Sequence, residues 1–256
     1  MAHHVIAFRK TLTTATTFNA LSVVTDEVFA TASTTGTFVP AGMHLVAAFA
    51  GIGAGSGTWG RARLNAASLL KVAQPFITPT QAIVGTDNPN LQLLTDRPLV
   101  FPSAEVIGVD ALLATVPSSA DVAALLFFSE QPAPVPPGDG YWIRAATAAA
   151  FTAASTTVWS TVDMKWDTTL PEGKYAVVGM VHVGPAVAAR LVFAGQVYRP
   201  GVVSVGSAAA RTHAAFYEGG FGLMGSFSAF APPSVQILAT NTSAGDHEIY
   251  LRVVPL

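Results

Sequence analysis

An ordered set of residues in the first half of the chain recurs in the second. Phe38-Val39-Pro40-Ala41-Gly42-Met43-His44-Leu45-Val46 is answered by Thr169-Leu170-Pro171-Glu172-Gly173-Lys174-Tyr175-Ala176-Val177, with Pro40 and Pro171, like Gly42 and Gly173, 131 positions apart. Arg63-Leu64 and Arg190-Leu191 follow at 127, then Gln74-Pro75 and Arg199-Pro200 at 125. Leu113-Ala114-Thr115 and Leu238-Ala239-Thr240 keep the spacing of 125, as do Asp121 and Asp246. Each copy closes on an apolar segment, Ala124-Leu125-Leu126-Phe127 and Ile249-Tyr250-Leu251-Arg252. Single matches of this kind are common, but their collinear order is not. The spacing changes twice, by 4 and by 2, and the larger step coincides with the glycine-rich stretch 51–57 of the first copy, which reads as a longer loop. Such a chain is expected to fold as two copies of one unit.

Within each copy the signals are those of short strands. Residues 5–8, 20–24, 27–31, 43–49, 59–64, 91–94, 99–101, 106–115 and 122–128 are rich in β-branched and aromatic types between Thr, Asn, Gly and Pro punctuation. The second copy offers 141–144, 158–166, 175–183, 188–193, 196–198, 227–230, 235–238 and 248–254, with a tight glycine turn at 218–222. Only 145–154 reads as a helix, through its alanines. Between the copies, Pro132, Pro134, Pro136 and Pro137 impose extended geometry, so 131–140 reads as a semi-rigid linker. The expected organisation is a β-sandwich over 1–130, the linker 131–140, and a second β-sandwich over 141–256. The fold class is all-β, two tandem antiparallel jelly-roll-like sandwiches.

Composition narrows the partners. Charged residues make up 11% of the chain, against about 25% in ordinary globular proteins, and 51% of residues are hydrophobic. A surface that neutral favours association over dispersal, which fits a subunit flanked by neighbours. The longest apolar runs fall well short of the roughly 20 residues that span a bilayer. No basic stretch precedes an apolar run at the start, so no signal peptide is expected. A net charge of −2 without any Lys/Arg run argues against strong direct nucleic-acid binding. The absence of cysteine removes disulfides, thiolate metal sites and cysteine nucleophiles together.

No set of residues converges on catalysis. Nucleophile-elbow, phosphate-loop, dinucleotide and His-Glu-x-x-His patterns are all missing. Asp246-His247-Glu248 is the densest polar cluster, but its counterpart Asp121-Val122-Ala123 lacks both other ligands, and a turn before a strand accounts for an Asp at both places. His3-His4 reads as a loose terminus, and His44 and His182 as packed or interfacial. A carboxylate pair of Asp26-Glu27 with Asp163 has nothing to bring it together. Asn241-Thr242-Ser243 matches a glycosylation triplet that is common by chance. Trp59, Trp142, Trp159, Trp166, Phe216, Tyr217 and Phe221 could form a sugar platform, but their placement in strands fits core and interface better. The chain is expected not to be an enzyme. No catalytic residue, cofactor-binding residue, metal ligand or cofactor is assigned.

Two tandem β-sandwich copies, an extended proline linker and no active site together resemble the double jelly-roll major capsid proteins of tailless viruses and phages. The Leu170-Pro171-Glu172-Gly173-Lys174-Tyr175 strand start and the Tyr250-Leu251 closing strand are similar to those of phage virion proteins in general. The resemblance implies a structural virion protein that assembles as pseudo-hexameric homotrimers into an icosahedral capsid, beside other virion proteins. It leaves open contact with an internal membrane or the genome. The chain is shorter than that family and lacks its inter-strand helices. The alternative is a tandem carbohydrate-binding or fibre module.

Overall fold

The computed structural model describes residues 3–26, 28–29, 31–52, 58–71, 76–77, 81–82, 91–94, 96–115, 119–130, 138–205 and 223–256. The chain is all-β. In the first half β1 (His3–Leu12), β2 (Asn19–Ala20), β3 (Ser22–Val23), β4 (Thr31–Ser33), β5 (Gly36–Phe38), β6 (His44–Ile52), β7 (Thr58–Ala66), β8 (Phe76–Ile77), β9 (Gln81–Ala82), β10 (Gln92–Leu93), β11 (Val106–Thr115) and β12 (Ala120–Ser129) build two sheets. In the second half β13 (Tyr141–Thr147), β14 (Ser160–Val162), β15 (Met164–Trp166), β16 (Lys174–Val183), β17 (Ala186–Val192), β18 (Gly201–Val203), β19 (Gly225–Ser228), β20 (Ser234–Ala239) and β21 (Glu248–Pro255) build two more. Sheet I runs β4-β5-β11-β7-β8, with β2 also on β11. Sheet II runs β10-β6-β12-β1-β3, with β9 on β6. Sheet III runs β14-β20-β17-β18, and sheet IV β15-β13-β21-β16-β19.

Taking the eight recurrent strands of either half in chain order, one sheet of each sandwich reads 2-7-4-5 and the other 6-3-8-1, the jelly-roll arrangement. The two halves agree at the level of single residue pairs. Val5↔Phe127, Ala7↔Leu125 and Arg9↔Ala123 in sheet II match Trp142↔Arg252, Arg144↔Tyr250 and Ala146↔Glu248 in sheet IV. The bulges recur as well. Between Phe127↔Ala47 and Phe128↔Leu45 one residue of β6, Val46, is left over. Between Arg252↔Gly179 and Val253↔Val177 the residue left over is Val178 of β16. In the other sheets Gly60 of β7 is skipped between Leu112↔Arg61 and Leu113↔Trp59, and Val187 of β17 between Leu238↔Ala188 and Ala239↔Ala186. A bulge redirects the side chains that follow it, so its retention in both halves marks one ancestral unit.

Sheets I and II enclose one core, with Ile6, Phe8, Leu45, Leu126 and Phe128 of sheet II facing Leu64, Ile107, Val109 and Leu113 of sheet I. The alternate residues of sheet II, Val5, Ala7, Ala47, Phe49, Ala123, Leu125 and Phe127, point the other way and join the buried cluster of the second half. The four sheets therefore stack in the order I, II, III, IV, and sheets II and III are covered on both faces. This explains why β12 and β20 read as nearly continuous apolar runs rather than alternating ones.

Several sequence expectations need correction. Residues 145–154 are not helical: Ala145 and Ala146 pair with Ile249 and Glu248 in the ladder, and tertiary pairing overrides alanine's weak helical preference. The one helical turn among the described residues is the unexpected 3-10 turn Ala67–Lys71. Residues 28–29 form a bend and the strand begins at Thr31; residues 196–198 are irregular, with the strand at Gly201–Val203. The bulge positions set the β6/β16 spacing at 132 rather than 131, and the β11/β20 spacing at 126 rather than 125. The spacing of 127 at Arg63/Arg190 and of 125 at β12/β21 agrees with the register. Residues 131–137, most of the 51–57 loop, Gln74-Pro75 and the glycine turn at 218–222 lie outside the described residues.

Candidate functional site

The functionally informative surface is the seam where sheet II meets sheet III. Arg190 sits in the middle of β17, in an alanine- and valine-rich strand, and is fully buried. Its Nε donates to Gln236 Oε1 at 2.7 Å, its Nη1 donates to Asp26 Oδ2 at 2.7 Å, and its guanidinium lies 4.3 Å over the Trp159 ring. Asp26 comes from the first half, 164 residues away. The same carboxylate oxygen is 3.1 Å from His4 Nε2. Because the Arg199 backbone N–H donates to His4 Nδ1 at 3.1 Å, the imidazole proton sits on Nε2 and is donated to Asp26. Burial keeps His4 below its usual value, hence neutral at pH 7. Burial pushes Asp26 up, but the hydrogen bond from His4, the charge of Arg190 and the Val28 N–H outweigh it and hold the carboxyl at about 2. The seam thus contains an ionised Asp26–Arg190 pair.

A second arginine crosses the seam from the other side. Arg9 of β1 pairs with Asp121 through Nε at 3.0 Å and reaches the Thr156 carbonyl at 3.0 Å and the Thr240 carbonyl at 2.7 Å. Asp121 thus lies within β12 and accepts from Arg9, rather than shaping a turn. Further backbone bonds, from Val5 N–H to the Arg199 carbonyl and a Thr25↔Val158 bridge, join the halves into one body.

The other sequence candidates separate. Asp246-His247-Glu248 splits across the sheet: His247 turns inward to His182, while Glu248 turns outward to Arg144 and Tyr250. His182 Nδ1 meets Ser204 Oγ at 2.8 Å and its Nε2 meets His247 Nδ1 at 3.2 Å, so one proton is shared between two imidazoles. Burial lowers both, most strongly His182, where the adjacent His247 adds to the effect. Asp26 is committed to His4 and Arg190, not to Asp163. Asn241 accepts from the Ser243 N–H, closing its own turn. Trp159 lies against Arg190 and Trp166 packs on the core, while Trp142 is 38% exposed. Phe216, Tyr217, Phe221 and the Trp59 side chain lie outside the described residues. Among the described residues no three His, Asp or Glu side chains converge on a point that could hold a metal.

The arginine slot exists twice. Arg63, the counterpart of Arg190, lies 4.0 Å over the Phe18 ring and pairs with Asp110 at 3.1 Å, on the outer face of sheet I. Register makes Phe18 the counterpart of Trp159 and Asp110 that of Gln236. Where the chain delivers a carboxylate from across the seam, the neighbouring strand carries a neutral Gln. Where no such carboxylate arrives, it carries its own Asp. Sequence reading found the Arg63/Arg190 match but not its meaning, and the available signal was a lone Arg inside an alanine-rich strand of a charge-poor chain.

No family model matches the chain, and neither does any curated protein. Among solved structures, the crystal structure of the major capsid protein P2 from bacteriophage PM2 aligns over 96% of this chain and 98% of that one, at 9% identity and a TM-score of 0.21. At that score the alignment carries no argument, so the functional reading stands on the duplicated jelly rolls and the seam between them.

Proposed function

We propose that the chain is a structural virion protein, a subunit that assembles into a capsid shell and has no enzymatic role. The observation that carries this reading is the seam. A jelly roll of this type presents two outer faces that fit each other, sheet II to sheet III, and the chain uses that fit once internally. The topologically equivalent sheets, IV and I, stand at the two ends of the stack. A subunit built so can repeat its internal contact with further copies, and three copies would set six like sandwiches in a pseudo-hexagonal trimer. The limits 1–130 and 141–256, joined by 131–140, are the proposed sandwich boundaries. The low charge content fits a molecule flanked on several sides. Location in the virion, beside other virion proteins, follows from the same reading.

A tandem glycan-binding module would need exposed aromatics at matched positions. The counterpart of exposed Trp142 is buried Val5, and Trp159 and Phe18 each lie under an arginine. Sedimentation velocity on the purified chain tests the shell reading: trimers or larger species support it. A monomer at tens of micromolar across salt and pH overturns it.

A further inference from the structure

The sheets of the second sandwich are tied at one corner by a pair of histidines. His182 of β16, in sheet IV, is fully buried, and both of its ring nitrogens are engaged: Nδ1 with Ser204 Oγ at 2.8 Å and Nε2 with His247 Nδ1 at 3.2 Å. Ser204 follows β18, the strand at the end of sheet III. The His247 ring lies tilted against His182, with centroids 5.3 Å apart, and meets the Phe151 ring edge-on at 6.0 Å. Gly184 makes room for it, since a Cβ there would stand 2.6 Å from His247 Nδ1. By register the counterparts of the pair in the first sandwich are Ala50 and Val122, which cannot take up a proton.

The same corner holds down a crossing segment. Ser204 and Val205 carry the chain from β18 onto sheet IV. The Ser204 N–H donates to the Val187 carbonyl at 3.0 Å and the Val205 N–H to the His182 carbonyl at 2.9 Å. The Val205 side chain packs with Val181, Val183 and Tyr250, a small cluster apart from the main core. Among the described residues β18 is a three-residue strand with one ladder partner, β17. Short, edge-placed segments of this kind open more readily than the sheets behind them.

We propose that this corner is an acid-operated latch: protonation of the His182–His247 pair releases Ser204 and Val205 from sheet IV before the first sandwich opens. Each nitrogen of His182 already has a partner, and none of these partners is a carboxylate. Around the pair, the segment 147–151 presents Thr147 and Phe151, the Gly184-Pro185 turn nothing ionisable, and the crossing segment a hydroxyl. Asp246 is the acidic neighbour and favours charge on His247, while Glu248 turns to the opposite face, held by Arg144 and Tyr250. Held shut, burial and the adjacent His247 keep His182 down at about 3; released to water, it titrates near 6.5. The latch is therefore fully closed above about pH 6.5 and loosens as pH falls below it. His182 alone multiplies the open population about thirtyfold between pH 7.5 and pH 5. His247, also lowered by burial, acts in the same direction. Opening uncovers Val181 and Tyr250, so acid would expose an apolar patch on sheet IV. The latch goes beyond the shell reading and does not depend on it.

Amide hydrogen exchange of the whole chain, read by residue at pH 7.5 and pH 5 and corrected for intrinsic exchange rates, tests this. The Ser204 and Val205 amides are expected to lose protection by about thirtyfold or more. Leu21 and Val39, bonded to the Val109 and Glu105 carbonyls of the first sandwich, are expected to lose less than about threefold. His182→Gln keeps a polar side chain that cannot titrate, and His247→Val installs the residue type found at Val122. In that double variant the ratio between the two pH values is expected to fall to near one. Each protein is compared with itself, so a variant that is merely less stable still reports. A native Val205 ratio below about threefold, an equal loss at Leu21 and Val39, or an undiminished ratio in the double variant overturns the latch. Where the double variant does not fold, NMR titration of the native imidazoles decides. His182 staying neutral down to pH 5 in the protected state supports the latch; His182 protonating near pH 6.5 with Val205 still protected overturns it.

Discussion

Removing Asp26 gives the sharpest test of the seam. Asp26→Ala deletes the carboxylate that Arg190 Nη1 and His4 Nε2 both address, and leaves the buried guanidinium beside Gln236 and Trp159 without that counter-charge. Stranding one member of a buried ion pair typically costs about 3–5 kcal/mol. For a chain of this size each kcal/mol moves the melting temperature by about 2–4 °C, so a drop of roughly 6–20 °C is expected. Arg190→Met alone is expected to destabilise for the complementary reason, leaving Asp26 ionised beside a neutral His4. The double variant removes both charges and fills the arginine slot with an apolar chain of similar length. Its remaining defects are the His4 N–H that loses Asp26 and the Gln236 Oε1 that loses the Arg190 Nε donor, each worth about 1–3 kcal/mol and each already present in one of the single variants. The double variant should therefore be no worse than either single one, giving a coupling of at least about 3 kcal/mol in a double-mutant cycle. Urea unfolding followed by tryptophan fluorescence measures all four proteins. Additive effects, or a loss below about 1 kcal/mol for Asp26→Ala, would refute the picture of a single buried, mutually dependent pair.

Acid should weaken the fold. Burial places His3 at about 4 and lowers His182 further than that, against 6.5 for a free imidazole. The unfolded chain therefore binds protons below about pH 6.5 that the folded chain refuses; stability is complete above that value and falls as pH drops. Each of the two residues contributes a loss of about 2 kcal/mol by pH 5, and urea midpoints that do not change between pH 7 and 5 would contradict this. Gly60→Ala should destabilise by about 1–3 kcal/mol, because an added Cβ would stand 2.3 Å from the Leu112 carbonyl oxygen; a thermal melt matching the native chain would show that the bulge adapts. Expressed alone, residues 1–130 would expose Val5, Ala7, Phe49, Leu125 and Phe127, so this fragment should aggregate on gel filtration while the whole chain unfolds in one calorimetric transition. Two resolved transitions would mean that the seam does not couple the halves.

The repeat was legible in the sequence wherever a residue type was pinned by the fold. Arg63 and Arg190 occupy one slot over an aromatic ring. The Pro-x-Gly turns are real too: Tyr175 donates its hydroxyl to the Pro171 carbonyl at 3.0 Å and locks the second of them. What the sequence blurred was single-residue register. Leu113-Ala114-Thr115 against Leu238-Ala239-Thr240 is one residue out, which matters because a slip of one reverses every face. Leu238 is the counterpart of Leu112 and points into the seam, whereas Leu113 points into the first core. Alanine misled at 145–154, since its helical preference is weak and it fits equally into a β-ladder. The Asp26–Arg190 pair was illegible because its members are distant in sequence and nothing local in either segment requires the other. The His182–His247 contact was hidden by the same long-range geometry, and its counterparts Ala50 and Val122 offered no repeat signal.

The central claim is that a duplicated jelly roll continues outside the chain the contact it makes within it. Electron microscopy of the assembled protein, with class averages viewed down the particle axis, tests this most directly. The account predicts three copies arranged as six like lobes around a closed ring, each lobe one sandwich. Averages showing two-fold particles, or lobes that meet by identical faces, would contradict it.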